Sequence, residues 1–147
     1  MKECTFCAIY ADRAEASVVY RDSAVMAFLD ILPVNPGHLL VMPGAHIERL
    51  ADLDDDLATK VLAVGLKLAD ALRHSAVPCD GVNLIVADGE AAGQEVPHTH
   101  LHVIPRTTND GFRFDAPSWR VAPPSRLALD ATAADIRQAL ASRHSTT

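Results

Sequence analysis

The chain has no long apolar run. No stretch of its 147 residues approaches the roughly 18 consecutive apolar residues that a membrane-spanning helix needs. The first ten residues, MKECTFCAIY, also lack the apolar segment of a secretory signal. We therefore expect a cytoplasmic protein that does not act in a membrane.

Positive charge is scarce. Lysine and arginine number 13 against 19 aspartate and glutamate residues, so the formal net charge is −6 at pH 7. Neither a general nucleic-acid surface nor an anionic membrane surface is expected, because both need a basic partner. If the protein binds phosphate, a few local groups must hold it.

Cysteine is also scarce, with three residues in the chain. In a cytoplasmic protein this number argues against a disulfide framework. Cys79 stands alone, whereas Cys4 and Cys7 form a CxxC pair. The pair has the spacing of half a tetrahedral zinc site, which needs two further ligands, and a redox pair is the alternative. The segment after the pair does not resemble the helix of a βαβ unit, which favours zinc.

The residues that are present suit one folded domain, with 49% hydrophobic and 22% charged side chains. Short runs rich in β-branched residues and bounded by Asp, Gly or Pro predict five strands of one sheet. These runs are 17–20, 25–29, 38–42, 82–86 and 100–104. After Arg106 the sequence becomes irregular and proline-interrupted, and we expect residues 107–147 to pack on the same domain with a short helix from about Thr132 to Ser142. Its large aromatic residues are interpreted as packing residues: Phe112, Phe114 and Trp119.

One strong helical pattern lies between the third and fourth strands. It begins at Asp54–Asp56, whose carboxylates favour the positive end of a helix, and should run to about His74. Leu62, Leu66 and Ala69 add a second apolar flank to its main stripe. We expect this flank to contact the same helix of a second subunit, with Gly65 allowing close approach. The alternative is that a terminal segment of the same chain covers it.

Three histidines alternate in the segment GQEVPHTHLHVIPR. In a strand, His98, His100 and His102 lie on one face. A catalytic three-ligand metal site, a nucleophilic histidine with helpers and a buried polar stripe are three explanations, and the last is the weakest because unpartnered buried imidazoles are costly. Gly93 and Gln94 precede the histidines in a loop that could be a phosphate-binding turn or an ordinary turn between strands.

Three separated segments occur in the order CTFC, DILPVNPGHLLVMPGAH and GQEVPHTHLHVIPR. Together they resemble the histidine triad (HIT) superfamily of nucleotide-binding hydrolases and transferases, in its bacterial branch with an amino-terminal CxxC. The resemblance covers Cys4 to Arg106 and places a HIT domain at residues 1–106. It implies an α+β fold with a five-stranded antiparallel sheet, one long helix, a short carboxyl-terminal helix and a homodimer.

The resemblance also implies a reaction. His100 would attack the α-phosphorus of a nucleotide conjugate, and water would then cleave the nucleotidyl-histidine intermediate. His102 and His38 would surround the phosphate as donors. The candidate nucleotide-binding residues are Phe6, Phe28 and Ile31 for the base, Asp30 for the ribose hydroxyls, and Gly93, Gln94 and Asn83. The zinc ligands would be Cys4, Cys7, His46 and His98, in a closed structural site.

Three residues depart from the family pattern. Thr99 is polar where relatives are usually apolar, Ala87 lies near where many carry an asparagine, and Glu95 places a carboxylate close to the expected phosphate. The leaving group is therefore open between a phosphoramidate and a dinucleoside polyphosphate. A non-catalytic nucleotide-binding module and an open-site zinc hydrolase are the alternative functions.

Overall fold

The computed structural model describes residues 4–113 and 123–143. The chain divides after residue 111 into an amino-terminal and a carboxyl-terminal unit. The α-helices of the first unit are α1 (Thr5–Tyr10) and α2 (Asp55–His74), and short 3₁₀ helices lie at Leu50–Asp52 and Glu90–Ala92. Its strands are β1 (Val18–Arg21), β2 (Val25–Leu29), β3 (Leu39–Pro43), β4 (Gly81–Val86) and β5 (Leu101–Arg106). The second unit contains α3 (Arg126–Arg143).

The five strands form one antiparallel sheet in the order β1-β2-β3-β5-β4. The fold class and the five strands predicted from the sequence are confirmed, with strand ends that differ from the prediction by at most two residues. Strand β5 lies between β3 and β4, so that His102 is opposite both Leu40 and Ile85. The histidine-bearing strand is therefore supported by a neighbour on each side.

Helix α2 covers one face of the sheet. The Asp54 carboxylate caps it by accepting the backbone N–H of Leu57 at 2.8 Å, and Arg73 and His74 lie in its last turn. Its apolar stripe packs against every second residue of β2, β3 and β5. The buried helix residues are Val61, Val64, Gly65, Leu68, Ala69 and Leu72, and the buried sheet residues are Val25, Ala27, Leu39, Val41, Leu101 and Val103.

Gly65 has a different role from the predicted one. A Cβ atom added at Gly65 would lie 2.5 Å from Cδ2 of Leu101, on the sheet. The prediction that Gly65 allows a second subunit's helix to approach is wrong, because the glycine allows α2 to approach its own sheet. On the second flank, Ala69 is buried whereas Leu62 and Leu66 are 49% and 54% exposed.

Helix α1 covers the opposite face of the sheet. Its buried residues Phe6 and Ile9 pack with sheet residues Met26, Phe28, Leu40 and Met42. The sequence did not predict α1, because a helix of six residues is too short to show a periodic apolar pattern. The helix leads into the antiparallel β1–β2 pair, so the CxxC pair does not lie in a βαβ unit.

Helix α3 begins earlier than predicted and exposes Leu127, Ile136 and Leu140. The interpretation of Phe114 and Trp119 as packing residues falls outside the described residues, as does the position of His144. The packing of residues 107–147 on the first unit stays a prediction. In the described parts of the chain, no helix combines the length and the apolar character needed to cross a membrane.

Candidate functional site

Four predicted ligands come together from the start of α1, the loop after β3 and the segment before β5. Their ligand atoms all lie within 4.8 Å of one another: Cys4, Cys7, His46 and His98. The Nδ1 atom of His98 is 3.6 Å from Sγ of Cys4 and 3.7 Å from Sγ of Cys7. A second pair, Sγ of Cys7 and Nδ1 of His46, is 3.3 Å apart. Ligands of a tetrahedral zinc ion are about 3.3–3.8 Å apart, given metal–ligand distances near 2.0–2.3 Å. The residues therefore fit zinc.

The hydrogen bonds of the two ring ligands agree with this fit. Nε2–H of His98 donates to the Pro43 carbonyl at 2.8 Å, which leaves the lone pair on Nδ1 toward the sulfur atoms. Nε2 of His46 faces the Glu48 carboxylate at 3.4 Å. Burial lowers the pKa of His98, partly opposed by the hydrogen bond to Pro43. A neutral imidazole with a free Nδ1 is the form that binds metal.

A cavity of about 490 Å³ lies beside this cluster. Seven of the predicted site residues are among those that line it: Phe6, Phe28, Asp30, Ile31, Gly93, His100 and His102. Glu95 and Val96 also line it. The cavity is thus lined by apolar and aromatic side chains together with a few polar ones, which is the usual composition of a small-molecule site.

One nitrogen of the His100 ring makes a hydrogen bond to the protein, and the other has no such bond to the described residues. Its Nδ1 lies 2.7 Å from the backbone carbonyl oxygen of His98. A carbonyl oxygen only accepts, so Nδ1 carries the proton and Nε2 has a free lone pair in the neutral ring. Phe6 packs edge-to-face against His100, with ring centroids 5.2 Å apart. The aromatic contact and the hydrogen bond together fix the ring orientation.

His38 and His102 form a hydrogen-bonded chain. The backbone N–H of Val34 donates to Nδ1 of His38 at 3.2 Å, so the proton of the neutral His38 ring is on Nε2. Nε2–H of His38 donates in turn to Nδ1 of His102 at 2.9 Å. The remaining proton of His102 is therefore on Nε2, and His102 lines the cavity. At the cavity, His102 can therefore donate a hydrogen bond from Nε2–H, and His100 can offer the lone pair of Nε2.

Burial keeps the His38 and His102 rings neutral near pH 7. Burial, together with smaller contributions from the neighbouring His100 and His38 rings, lowers the pKa of His102 to about 4 against the opposing effect of the Asp30 carboxylate. Burial also lowers the pKa of His38, partly opposed by the Asp30 carboxylate. Asp30, His38 and His102 each place a possible metal ligand within 4.8 Å of the others, but the two rings are already joined by a hydrogen bond.

Three predicted residues lie in positions that the sequence did not indicate. His38 is 3% exposed and lies behind His102, so it would reach a phosphate only through that ring. The Gln94 amide bridges two backbone groups, accepting from Gly89 N–H at 2.7 Å and donating to the Glu48 carbonyl at 2.8 Å. Oδ1 of Asn83 accepts from Nη1 of Arg106 at 2.6 Å. The roles of Gln94 and Asn83 toward a nucleotide stay predictions.

The residues predicted to contact the base and the ribose all line the cavity. Phe6 and Phe28 are edge-to-face with centroids 5.4 Å apart, and Ile31 is 89% exposed at the cavity rim. One carboxylate oxygen of Asp30 accepts from Leu32 N–H at 2.9 Å, and the other is 3.7 Å from Nδ1 of His38. Asp30 is therefore held in place at the edge of the cavity by its own loop.

Comparison with known sequences gives a family. The HIT domain matches residues 11–109 of the chain. An uncharacterized HIT-like protein of Borreliella burgdorferi is 46% identical over 115 residues, which are 78% of this chain and 83% of that protein. The adenylylsulfatase HINT3 of Arabidopsis thaliana is 32% identical over 108 residues, which are 74% of this chain and 54% of that protein.

Solved structures agree with the sequence match. A Zn-bound histidine triad family protein from Mycobacterium smegmatis is 37% identical with a TM-score of 0.73, covering 92% of this chain and 96% of that one. A histidine triad nucleotide-binding protein from Candida albicans is 26% identical with a TM-score of 0.83, covering 95% of this chain and 99% of that one. With the domain match over residues 11–109, the chain belongs to the HIT family.

Proposed function

We propose that the protein binds a nucleotide conjugate, with a purine as the expected base, and hydrolyses or transfers its nucleotidyl group through His100. The observation that carries this proposal is the unprotonated Nε2 of His100 at the wall of the cavity, with Nδ1–H held by the His98 carbonyl. A neutral imidazole with an oriented lone pair is nucleophilic near pH 7. The similar protein from Candida albicans, which is named for nucleotide binding, supports the choice of ligand.

The chemistry follows from the two cavity-facing rings. The lone pair on Nε2 of His100 forms a bond to the α-phosphorus, and the bond from phosphorus to the leaving group breaks. The leaving oxygen or nitrogen departs with that electron pair and takes up a proton from solvent. Nε2–H of His102 donates to a nonbridging phosphate oxygen, where negative charge increases. Water then attacks phosphorus and releases a proton to solvent, the P–N bond to His100 breaks with its electron pair returning to Nε2, and a nucleoside monophosphate is released.

The remaining residues would bind the nucleotide. Phe6, Phe28 and Ile31 would contact the base, and the Asp30 carboxylate would accept hydrogen bonds from the ribose hydroxyls. Gly93, with a positive φ of 86°, would let the main chain approach a phosphate oxygen closely. Gln94 would contribute only after exchanging its bonds to Gly89 N–H and the Glu48 carbonyl, and Asn83 only after exchanging its bond to the Arg106 guanidinium.

The cluster of Cys4, Cys7, His46 and His98 would hold a structural zinc ion. Four protein ligands fill a tetrahedral site, so no position is left for a water molecule, which favours a structural ion over an open-site hydrolase. A bound zinc supplies stability by joining the amino terminus to the segment that carries His98 and His100 and leads into β5. The Zn-bound relative from Mycobacterium smegmatis supports this assignment.

We also propose a homodimer through the β4 edge of the sheet and the adjoining flank of α2. Strand β4 is a terminal strand of the sheet, and Leu62 and Leu66 are half-exposed. Within the described residues β4 pairs with one strand alone, and an unpaired strand edge together with exposed leucines on α2 is suited to a second copy of the chain. Leu66→Glu should give a monomer by sedimentation, whereas Leu127→Glu on exposed α3 should not. A wild-type chain that sediments as a monomer would contradict the proposal.

Trapping the intermediate tests the catalytic proposal. Incubation with radiolabelled adenosine phosphoramidate or dinucleoside polyphosphate, followed by rapid denaturation, should leave an acid-labile label on His100. His100→Ala should lower kcat by at least about 10³-fold while nucleotide affinity is retained. His74→Ala, at an exposed position, is the matched control and should keep full activity. An unchanged rate in His100→Ala would refute the mechanism, and nucleotide binding without turnover of either substrate would favour the non-catalytic module.

A further inference from the structure

A partly buried network of hydrogen bonds joins the end of β5 to the loop that precedes β3, and none of its side chains lines the cavity. Its centre is the Asp110 carboxylate, whose side chain is 6% exposed. Arg106 binds it through both arms of the guanidinium, with Nε to Oδ2 and Nη2 to Oδ1 both at 2.7 Å. The third nitrogen of Arg106, Nη1, donates to Oδ1 of Asn83 on β4. A bidentate pair of this kind fixes both side chains.

Asn35 connects this network to the loop between β2 and β3. Its Nδ2 donates to Oδ2 of Asp110 at 2.7 Å and to the Pro105 carbonyl at 2.9 Å. Both partners only accept, so the amide presents its NH₂ group to them. These two bonds join residues 70 and 75 positions apart in the chain. The loop from 30 to 38 is thereby attached to the end of β5.

The same loop sets the protonation of His38. The carbonyl of Asn35 accepts from His38 N–H at 3.1 Å. One residue earlier, Val34 N–H donates to Nδ1 of the His38 ring. The position of the Val34 amide therefore depends on how Asn35 is held.

Nδ1 of His38 has a competing partner. The Asp30 carboxylate is 3.7 Å from this nitrogen and would attract a proton onto it. If Val34 N–H moved away, the proton of His38 would favour Nδ1, and Nε2 would become an acceptor. His102 would then donate from Nδ1 to His38 and would present a bare Nε2 to the cavity. The donor that faces a phosphate would be lost without any change in the His102 side chain itself.

We propose that Asn35 and Asp110 are positioning residues for His38. They hold the Val34 amide on Nδ1 of that ring, and so keep the proton on Nε2 of His102. The tautomer assignment rests on hydrogen bonds alone, and its effect on catalysis rests on the proposed function. Asn83 belongs to this network through Arg106, which gives it a role that needs no contact with nucleotide.

Imidazole ¹⁵N NMR on the full, zinc-loaded chain tests the proposal directly. In the wild type, His38 should show an unprotonated Nδ1 and a protonated Nε2. Asn35→Ala and Asp110→Asn should shift the Nδ1 signal toward the protonated form. Asp80→Asn is the matched control, because Asp80 accepts from Thr108 N–H in the same turn at 2.9 Å without a described bond to Asn35. It should leave the His38 signals unchanged.

Turnover of adenosine phosphoramidate separates the positioning role of Asn35 from the proposed use of His102 in catalysis. In Asn35→Ala we expect kcat to fall about tenfold to a hundredfold, with KM nearly unchanged, because the cavity wall is intact while the donor is lost. If the His38 tautomer is the same as in the wild type in folded Asn35→Ala, the positioning role is refuted, whatever the activity. If the tautomer shifts and kcat does not, the positioning role stands and the proposed use of His102 fails. Should Asp110→Asn not fold, Asn35→Ala alone decides.

Discussion

Acidification should destabilise the folded chain through His102. The ring lies in the wall of the cavity, and burial, with smaller contributions from His100 and His38, lowers its pKa from 6.5 to about 4. In the unfolded chain the same ring titrates near its ordinary pKa of about 6.5. The unfolded chain therefore binds more protons than the folded chain between about pH 6.5 and pH 4. The free energy of unfolding falls as the pH drops through this window and levels off below about pH 4.

The size of the effect follows from the pKa difference. A difference of about 2.5 pKa units corresponds to about 3 kcal/mol when the pH is below both values. At pH 5 the ring is protonated in nearly all unfolded molecules and in few folded ones. About 2 kcal/mol of stability should then be lost relative to pH 7.5.

Urea denaturation of the wild type and of His102→Asn measures this contribution. The asparagine carbonyl can accept the hydrogen bond from His38 but does not titrate. Both proteins share the cysteine and histidine cluster, so any metal loss at low pH affects both. The stability of the wild type relative to the variant should fall by about 2 kcal/mol between about pH 7.5 and about pH 5. Parallel stability curves for the two proteins would show that His102 is not buried in its neutral form.

Two other changes have defined outcomes. Purified protein should contain about one zinc per chain by atomic absorption. A chelator or Cys4→Ser should lower the thermal unfolding midpoint before it affects turnover, because a closed site stabilises the fold and takes no part in the reaction. Turnover lost at once without unfolding would indicate an open site. The Thr99 hydroxyl is buried with no hydrogen-bond partner among the described residues, so Thr99→Val should raise the free energy of unfolding by about 1 kcal/mol in urea denaturation. A less stable variant would mean that the hydroxyl has a partner such as a bound water.

The strands and α2 were predictable because each has a local signal. Alternating or β-branched runs between turn residues indicate strands, and the Asp54 cap with a three-to-four apolar spacing indicates the helix. The ligand cluster was predictable from the CxxC spacing and the resemblance together, since the sequence alone could not pair His46 with His98. The cytoplasmic location stays a prediction.

Features that depend on contacts distant in sequence were not predictable. Asn35 and Asp110 give no signal in the sequence, because their bond joins residues 75 positions apart. A glycine in a helix does not reveal whether a sheet or a second helix approaches it, and only the packed structure shows Leu101 against Gly65. The position of His38 behind His102 likewise depends on how two strands and a loop meet.

His98 connects two parts of the molecule that could have been independent. Its ring is directed at the cysteines, and its backbone oxygen holds the ring of His100. On the proposed function, loss of the ion should affect the reaction only through the fold, so ion-free chains should turn over substrate while they are folded and stop when they unfold. In a partly loaded preparation held at a temperature that unfolds only the ion-free chains, the fraction of chains giving a burst of product should then equal the fractional zinc occupancy.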